Sequence, residues 1–210
     1  MSPLASLKSK ATRPDSAATR ILRAALAAIR AQGYSATSVD QLCAAAGVTK
    51  GAFFHHFASK EALAVAAVDY WSETTGALFA AAPYHRLAAP LDRVFGYIDF
   101  RAGLLTGPVE SFSCLAGTMV QEAFATSPAI RAACNKSISG HARTLESDIA
   151  AAIAEHGVVG VSAQSLALHT QAVLQGAFVL AKARGGRRVA LDSVDHLKRY
   201  FSLLFQPGKT

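Results

Sequence analysis

Residues 36–63 read ATSVDQLCAAAGVTKGAFFHHFASKEAL and contain the start and stop signals of consecutive short helices. Ser38, followed three residues later by Gln41, makes a capping-box pattern that predicts a helix extending to Ala46. Gly47 ends this helix, because glycine adopts a left-handed backbone without steric cost. The first part of the stretch therefore predicts a two-turn helix that stops abruptly at a glycine.

A second short helix follows the glycine turn. Thr49 is a suitable N-cap for a helix over residues 50–57, whose inner face would be Phe53 and Phe57. Its outward positions carry one lysine and two histidines: Lys50, His55 and His56. Two helices joined by a tight glycine turn predict a helix-turn-helix, whose second helix commonly enters the major groove of DNA. The alternative is a helical hairpin inside an ordinary core.

The segment GVTKGAFFHHFASKEAL, residues 47–63, resembles the recognition helix and following turn of the tetracycline-repressor (TetR/AcrR) family of bacterial transcriptional regulators. The family pattern is glycine, aliphatic, Ser/Thr, two variable residues, small, hydrophobic, Tyr, any residue, His/Tyr, Phe, and then a Ser/Asn-Lys-Glu turn. The match covers about the first quarter of the chain. It implies an all-α fold, with a three-helix DNA-binding head at residues 15–60 and an effector-binding and dimerisation domain at residues 61–210.

The resemblance also implies which residues face DNA. Thr49, Lys50, Gly51 and Ala52 lie at the exposed start of the recognition helix, where Lys50 can donate to guanine and Ala52 can contact a thymine methyl. Phosphate contacts are expected from four further residues, Thr37, Ser38, His56 and Lys60. Phe54 stands where the family commonly has tyrosine, so His55 beside it is a candidate replacement donor.

Positive charge is concentrated in the segment that contains the helix-turn-helix. Residues 1–60 hold eight Lys/Arg against Asp15 and Asp40, which gives +6 of the net +7. The other thirteen Lys/Arg face twelve carboxylates in residues 61–210. A polyanion would be attracted to the first segment by counterion release, so we predict double-stranded DNA as a partner.

Composition favours helix and excludes several classes of protein. Half of the residues are apolar, alanine is abundant, and no apolar run reaches the ~18 residues that a membrane span requires. No secretion-type segment occurs near the start, which predicts a cytoplasmic protein without a membrane partner. Three widely spaced cysteines and no Cys-x-x-Cys or His-x-x-x-His pair argue against a disulfide framework and a metal site. No cofactor is expected.

Helix start and stop signals along the chain predict about nine helices. After a basic arm at residues 1–14, which either lies along DNA or is a leader without a role, a first helix runs to about Gln32. Beyond the head, the predicted helices cover residues 59–82, 90–104, 111–124, 127–156, 163–184 and 192–205.

Aromatic and polar residues of the later helices are candidates for an effector pocket, although aromatic residues at helical spacing are usually core. These candidates are Trp71, Phe79, Phe95, Phe112, Cys114 and His141. Residues 111–124 partly resemble a Gly-Cys-Leu-x-Gly stretch of one branch of the family, with Ser113 replacing the first glycine. In some members that cysteine senses electrophiles or oxidants. A helical enzyme using Cys114 or Ser111 as nucleophile is a remote alternative, because no partner base or oxyanion-hole motif accompanies them.

The last two helices are expected to form the dimer interface, as the resemblance implies. Their stripe consists of Leu166, His169, Val173, Gly176, Leu180, Val194, Leu197 and Phe201. The sequence alone equally allows these helices to be monomer core. Two heads one helical turn of DNA apart read a palindrome, which favours a dimer. We therefore expect a homodimeric repressor that is released from its operator by a small hydrophobic effector, or alternatively by electrophile or redox chemistry at Cys114.

Overall fold

The computed structural model describes residues 15–206, and within that range the chain is all-α with no β-strand. The all-α prediction is confirmed. The predicted basic arm, residues 1–14, lies outside the described residues. The helices are, in chain order, α1 (Ala17–Gln32), α2 (Val39–Ala46), α3 (Lys50–His56), α4 (Lys60–Ala80), a 3-10 turn (Pro83–Arg86), α5 (Pro90–Leu104), α6 (Val109–Phe112), α7 (Leu115–Ala123), α8 (Pro128–Arg143), α9 (Glu146–His156), α10 (Ala163–Arg184) and α11 (Arg188–Leu204).

The described residues contain eleven α-helices rather than the predicted nine, because two predicted helices are each interrupted once. Between α6 and α7, Cys114 has an extended backbone, and its Sγ accepts the Gly117 N–H at 3.4 Å as the cap of α7. Between α8 and α9, the Thr144 hydroxyl donates to the His141 carbonyl at 2.7 Å. Such local side-chain bonds compete with the helical pattern, and neither break is marked by glycine or proline.

The helices form two compact units. The first, here called the HTH unit, comprises residues 15–76 and Ser113–Ser137. In it α1 packs against α2, α3 and α7. Its core consists of side chains such as Ile21, Leu42, Phe53, Leu63, Met119 and Ile130.

The second unit, here called the C-terminal unit, comprises Ala77–Phe112 and residues 138–206. In it α5 packs against α9 and α11, and α10 packs against α6, α9 and α11. Its core includes Tyr97, Ile98, Ile149, Leu174 and Phe201. None of the helices in residues 15–206 is both long enough and apolar enough to cross a membrane.

Candidate nucleic-acid interface and effector site

The α2–turn–α3 segment is fixed by local hydrogen bonds. The Ser38 hydroxyl accepts the Gln41 N–H at 3.2 Å, and the Gln41 side chain accepts the Ser38 N–H at 2.8 Å, which completes the predicted capping box. Gly47 has φ 62° and ψ 46°, the left-handed conformation that redirects the chain after α2. The Thr49 hydroxyl then accepts the Ala52 N–H at 3.1 Å and starts α3.

Helix α3 is anchored through Phe53, and most of its other residues are exposed to solvent. Phe53 is fully buried, and its ring lies 5.9 Å from the Phe57 ring. Apart from Phe53 and the partly exposed Ala52, every residue from Thr49 to His56 is exposed: Thr49, Lys50, Gly51, Phe54, His55 and His56. Lys50 and the two histidines therefore lie on the surface, where a recognition helix needs them.

Asp40 on α2 is a residue of this surface that sequence reasoning missed. Its carboxylate pairs with the Lys50 ammonium at 2.7 Å, and both side chains are exposed. The hydrogen bond and the charge of Asp40 raise the pKa of Lys50. An exposed ion pair contributes little to stability, so separating Lys50 from Asp40 costs little.

Lys60 lies at the start of α4 against the turn between α1 and α2. Its ammonium donates to the Ser35 carbonyl at 3.4 Å and lies 4.4 Å from the centre of the Tyr34 ring. Partial burial lowers the pKa of Lys60, and the nearby Glu122 carboxylate partly opposes this. The lysine is thus held close to the turn that precedes α2.

Glu122 of α7 binds the same turn and was not foreseen from the sequence. Its carboxylate accepts the N–H groups of Tyr34 at 3.0 Å and of Ser35 at 2.8 Å. Gly33 has φ 92°, and a Cβ there would collide with the Glu122 carboxylate. The backbone conformation favours glycine at this position, and a side chain there would also displace the Glu122 carboxylate from the turn.

Thr37 is placed differently from the surface position that the sequence suggested. It is only 1% exposed, and its hydroxyl donates to the Gly33 carbonyl at 2.7 Å. The hydroxyl therefore closes the α1–α2 turn instead of facing solvent. Ser38 beside it is exposed. The two adjacent hydroxyl residues could not be distinguished by their spacing alone.

Trp71, Cys114 and Cys134 lie in the HTH unit. The Arg30 guanidinium lies 5.0 Å from the centre of the Trp71 ring. Cys114 is partly exposed, whereas Cys134 is fully buried, and burial together with the charge of Cys114 raises the pKa of Cys134 to about 12. Two of the six candidate pocket residues, Trp71 and Cys114, therefore belong to a different compact unit from the other four.

In the C-terminal unit, an aromatic cluster brings together two of the predicted pocket residues. The Phe79 ring lies 4.6 Å from the His141 ring and 5.6 Å from the Tyr97 ring. Tyr84 and Phe100 complete the cluster, and burial raises the pKa of Tyr84 to about 12. Phe112 instead packs 6.2 Å from Phe178. Phe95 is partly exposed, and none of the ring contacts found among the described residues involves it.

A hydrogen-bond network centred on the buried Tyr97 hydroxyl runs through this cluster. The hydroxyl accepts from Arg101 Nε at 2.9 Å and from Gln171 Nε2 at 3.2 Å, and it lies 3.0 Å from His141 Nε2. A phenol has two lone pairs and one proton. Since both lone pairs are occupied, its proton is donated to Nε2, and the neutral histidine has its own proton on Nδ1.

Two effects keep His141 neutral. Burial is the larger and the positive charge of Arg101 the smaller, and together they lower the pKa of His141 to about 3. The Arg101 guanidinium lies 4.3 Å from the centre of the Phe79 ring and 5.4 Å from that of Tyr97. We call Phe79, Tyr97, Arg101, His141 and Gln171 the Tyr97 cluster.

The predicted interface stripe on α10 and α11 divides into two faces. Leu166, Val194, Leu197 and Phe201 are buried within the single chain, because they pack the C-terminal unit together. His169, Gly176 and Leu180 are exposed, and Val173 is partly exposed. Helical periodicity cannot distinguish a face that meets the core from one that meets a partner. The exposed apolar side chains of these two helices also include Leu168, Val179, Tyr200 and Leu203.

A capped α2–Gly47–α3 pair that presents an exposed lysine and two histidines defines a helix-turn-helix DNA-binding protein. Residues 21–67 match the family described as "Bacterial regulatory proteins, tetR family". Residues 90–195, half of the chain, match the "Transcriptional regulator LmrA/YxaF-like, C-terminal domain". The chain belongs to the TetR family of bacterial transcriptional regulators.

Individual relatives agree with this assignment. The uncharacterized HTH-type transcriptional regulator YerO of Bacillus subtilis (strain 168) is 36% identical over 52 residues, which is 25% of this chain and 18% of that protein. A TetR-family regulator from Agrobacterium tumefaciens has the same fold, with a TM-score of 0.77, 21% identity, and coverage of 91% of this chain and 99% of the other. A TetR regulator from Chloroflexus aurantiacus is 27% identical with a TM-score of 0.77, over 89% and 94% of the two chains.

Proposed function

We propose that this transcriptional regulator is a repressor that binds palindromic operator DNA as a homodimer and is released by a small hydrophobic or amphipathic effector. The observation that carries the proposal is the exposed α3, anchored by Phe53 and carrying Lys50, His55 and His56 outward. Residues 15–60 would provide the DNA-binding surface. Residues 61–210 would provide effector binding and dimerisation.

The DNA contacts divide into two roles. Thr49, Lys50, Gly51 and Ala52, at the start of α3, would read base edges in the major groove. Ser38, His56 and Lys60 would hold phosphates and position the helix, with Phe54 and His55 flanking them. In this arrangement Lys50 leaves Asp40 when it reaches the operator.

Replacing these two lysines separately tests the proposal. Lys60→Ala is expected to weaken binding to all DNA sequences alike and to reduce the salt dependence by about 0.9 in the log–log slope, because one phosphate contact is lost. Lys50→Ala is expected to relax preference at one position of each half-site, at a cost of about 1–3 kcal/mol of discrimination. Operator selection followed by titration at several salt concentrations measures both effects. Operator affinity equal to that of the parent in both variants would contradict the contact assignments.

The exposed apolar face of α10 and α11 supports the homodimer. Leu180 is 47% exposed and Leu203 is 62% exposed, on the two helices that pack most extensively against each other. A twofold interface places the same patch of both copies in contact, so one substitution acts twice. We propose that this face packs against the same face of a second copy of the chain.

Leu180→Glu is therefore expected to convert the dimer to a monomer at micromolar concentration, because like charges juxtaposed across an interface cost several kcal/mol. Operator affinity should fall with it, since two linked heads bind more tightly than one. Val159→Glu is the matched control, because Val159 is 78% exposed but lies outside these helices. Sedimentation velocity gives the mass of each variant, and a dimeric Leu180→Glu protein would exclude this face.

A second mode of release is favoured by one observation within the HTH unit. Cys114 caps α7 through its Sγ, and α7 carries Glu122, whose carboxylate holds the backbone of the α1–α2 turn. Modification of the partly exposed thiol would remove the cap of the helix that binds this turn. Operator release by a reactive aldehyde or quinone, compared between the parent and Cys114→Ser, distinguishes this mode, and unchanged release in Cys114→Ser excludes it.

A further inference from the structure

Arg101 differs from the other part-buried arginine of α5 in having no carboxylate partner among the described residues. Arg93 pairs with Asp148 at 2.8 Å and also donates to the carbonyls of Leu87 and Ala88. Within residues 15–206, Arg101 forms no ion pair, and its hydrogen bond is the one from Nε to Tyr97. No hydrogen bond joins its two terminal nitrogens to a described residue.

The surroundings of Arg101 are aromatic. Its guanidinium lies on the Phe79 and Tyr97 rings, and Phe100 packs edge-on against Phe79. The Arg101 side chain is partly exposed, and its two terminal nitrogens are open to solvent, since neither is a buried atom without a partner. The Tyr97 bond and the ring faces fix the position of the guanidinium. They leave one side of the planar fork, the two terminal nitrogens, available for an acceptor.

His141 adds a hydrogen-bond donor to this site and, because it is neutral, adds no second positive charge. Because its Nε2 accepts from Tyr97, its proton is on Nδ1, and no hydrogen bond joins Nδ1 to a described residue. The cluster therefore offers one permanent cation and one neutral N–H donor beside apolar rings. A solvent-accessible positive charge that forms no ion pair within residues 15–206, and that lies against aromatic rings, favours a ligand with one negative charge on an apolar body.

We propose that the Tyr97 cluster is a recognition site for a small organic acid, whose single carboxylate is bound end-on by Arg101 while its apolar body contacts the aromatic rings. Arginine binds carboxylates through two parallel hydrogen bonds, which gives specificity as well as affinity. The inference rests on the proposed regulator function and deepens it, because it names the chemical class of the effector. A neutral hydrophobic compound of the same shape would lack the Arg101 contact.

The test uses the full chain and pairs of compounds that differ only in charge. The pairs are 2-naphthoate and 2-naphthamide, cinnamate and cinnamamide, and octanoate and octanamide. Titration calorimetry without DNA measures the affinity of each. We expect the acid of at least one pair to bind about tenfold or more tightly than its amide, as befits a charge-assisted bidentate contact. Equal affinity of acid and amide in every pair, or no binding by any acid, would overturn the proposal.

Variants assign the preference to Arg101. Arg101→Met is expected to abolish the acid preference, and Arg101→Lys to keep part of it. Arg86→Met is the control, because it removes the same charge from an exposed position of the C-terminal unit. If Arg101→Met fails to fold, the Arg101→Lys variant and the acid-to-amide affinity ratio of the parent still test whether Arg101 binds the carboxylate. An undiminished acid preference in Arg101→Met would assign the carboxylate to another residue and overturn the proposal.

Operator binding separates this inference from the proposed function. Arg101→Met should still bind operator DNA but no longer respond to the acid. Release of the parent from its operator by an amide as readily as by its acid would leave the regulator function standing and overturn the role of Arg101. Failure of the parent protein to bind any DNA would contradict the proposed function. The acid-to-amide affinity ratio would still test the Arg101 site, because it is measured without DNA.

Discussion

Phe53→Ala is expected to destabilise the HTH unit by about 3–5 kcal/mol, the range for phenylalanine-to-alanine changes in cores. Phe53 is fully buried, and its ring contacts those of Phe54 and Phe57 at 5.1 and 5.9 Å. The seven-residue α3 has few other apolar anchors, so the loss falls on the helix that carries the proposed DNA contacts. Operator binding should be lost together with stability.

The adjacent phenylalanine provides the control. Phe54 is 53% exposed, and surface substitutions away from special features usually change stability by about 0.5 kcal/mol or less. Phe54→Ala should therefore unfold like the parent while weakening DNA binding. The fluorescence of Trp71, the single tryptophan of the chain, reports unfolding of the same unit in urea. A Phe53→Ala protein with the unfolding midpoint of the parent would show that α3 is held by other contacts.

The helix-turn-helix could be predicted because its determinants are local. Ser38, Gln41, Gly47 and Thr49 act over three or four residues, and the structure shows each of their bonds or conformations as expected. The pattern of a buried Phe53 beside an exposed lysine follows from the same short period. Local chemistry of this kind is complete in a single stretch of sequence.

Contacts between distant residues could not be predicted in the same way. Glu122 binds the amides of Tyr34 and Ser35 across 88 and 87 residues, and Gln171 reaches Tyr97 across 74 residues. Nothing in the spacing of these residues indicates that they meet. Likewise, Trp71 and Phe79 share one helical stripe of α4, yet one contacts Arg30 in the HTH unit and the other joins the Tyr97 cluster.

The stability of the C-terminal unit is expected to fall steeply in mild acid because of His141. The folded pKa of this histidine is about 3, below the value of ~6.5 expected for an unfolded chain. Below pH 6.5 the unfolded state thus binds a proton that the folded state does not. The contribution of the neutral His141 to the free energy of unfolding is complete above pH 6.5 and is lost progressively as the pH falls to about 3. Between pH 6.5 and 5 the loss is about 2 kcal/mol, at ~1.4 kcal/mol per pH unit.

Two variants assign this loss to His141 and to the physical causes of its lowered pKa. His141→Gln cannot titrate, but its amide oxygen can still accept from Tyr97, so the fall in stability between pH 6.5 and 5 should be smaller by about 2 kcal/mol. Arg101→Met removes the positive charge, the smaller of the two causes of the lowered pKa, so the pKa of His141 should rise towards its unfolded value. The pH range over which stability is lost should then end at a higher pH than in the parent. Hydrogen exchange of the α5 and α10 amides measures the free energy of opening in this unit. If His141→Gln loses stability with pH as steeply as the parent, His141 is protonated in the folded state, and the assigned Tyr97-to-His141 direction of donation is reversed.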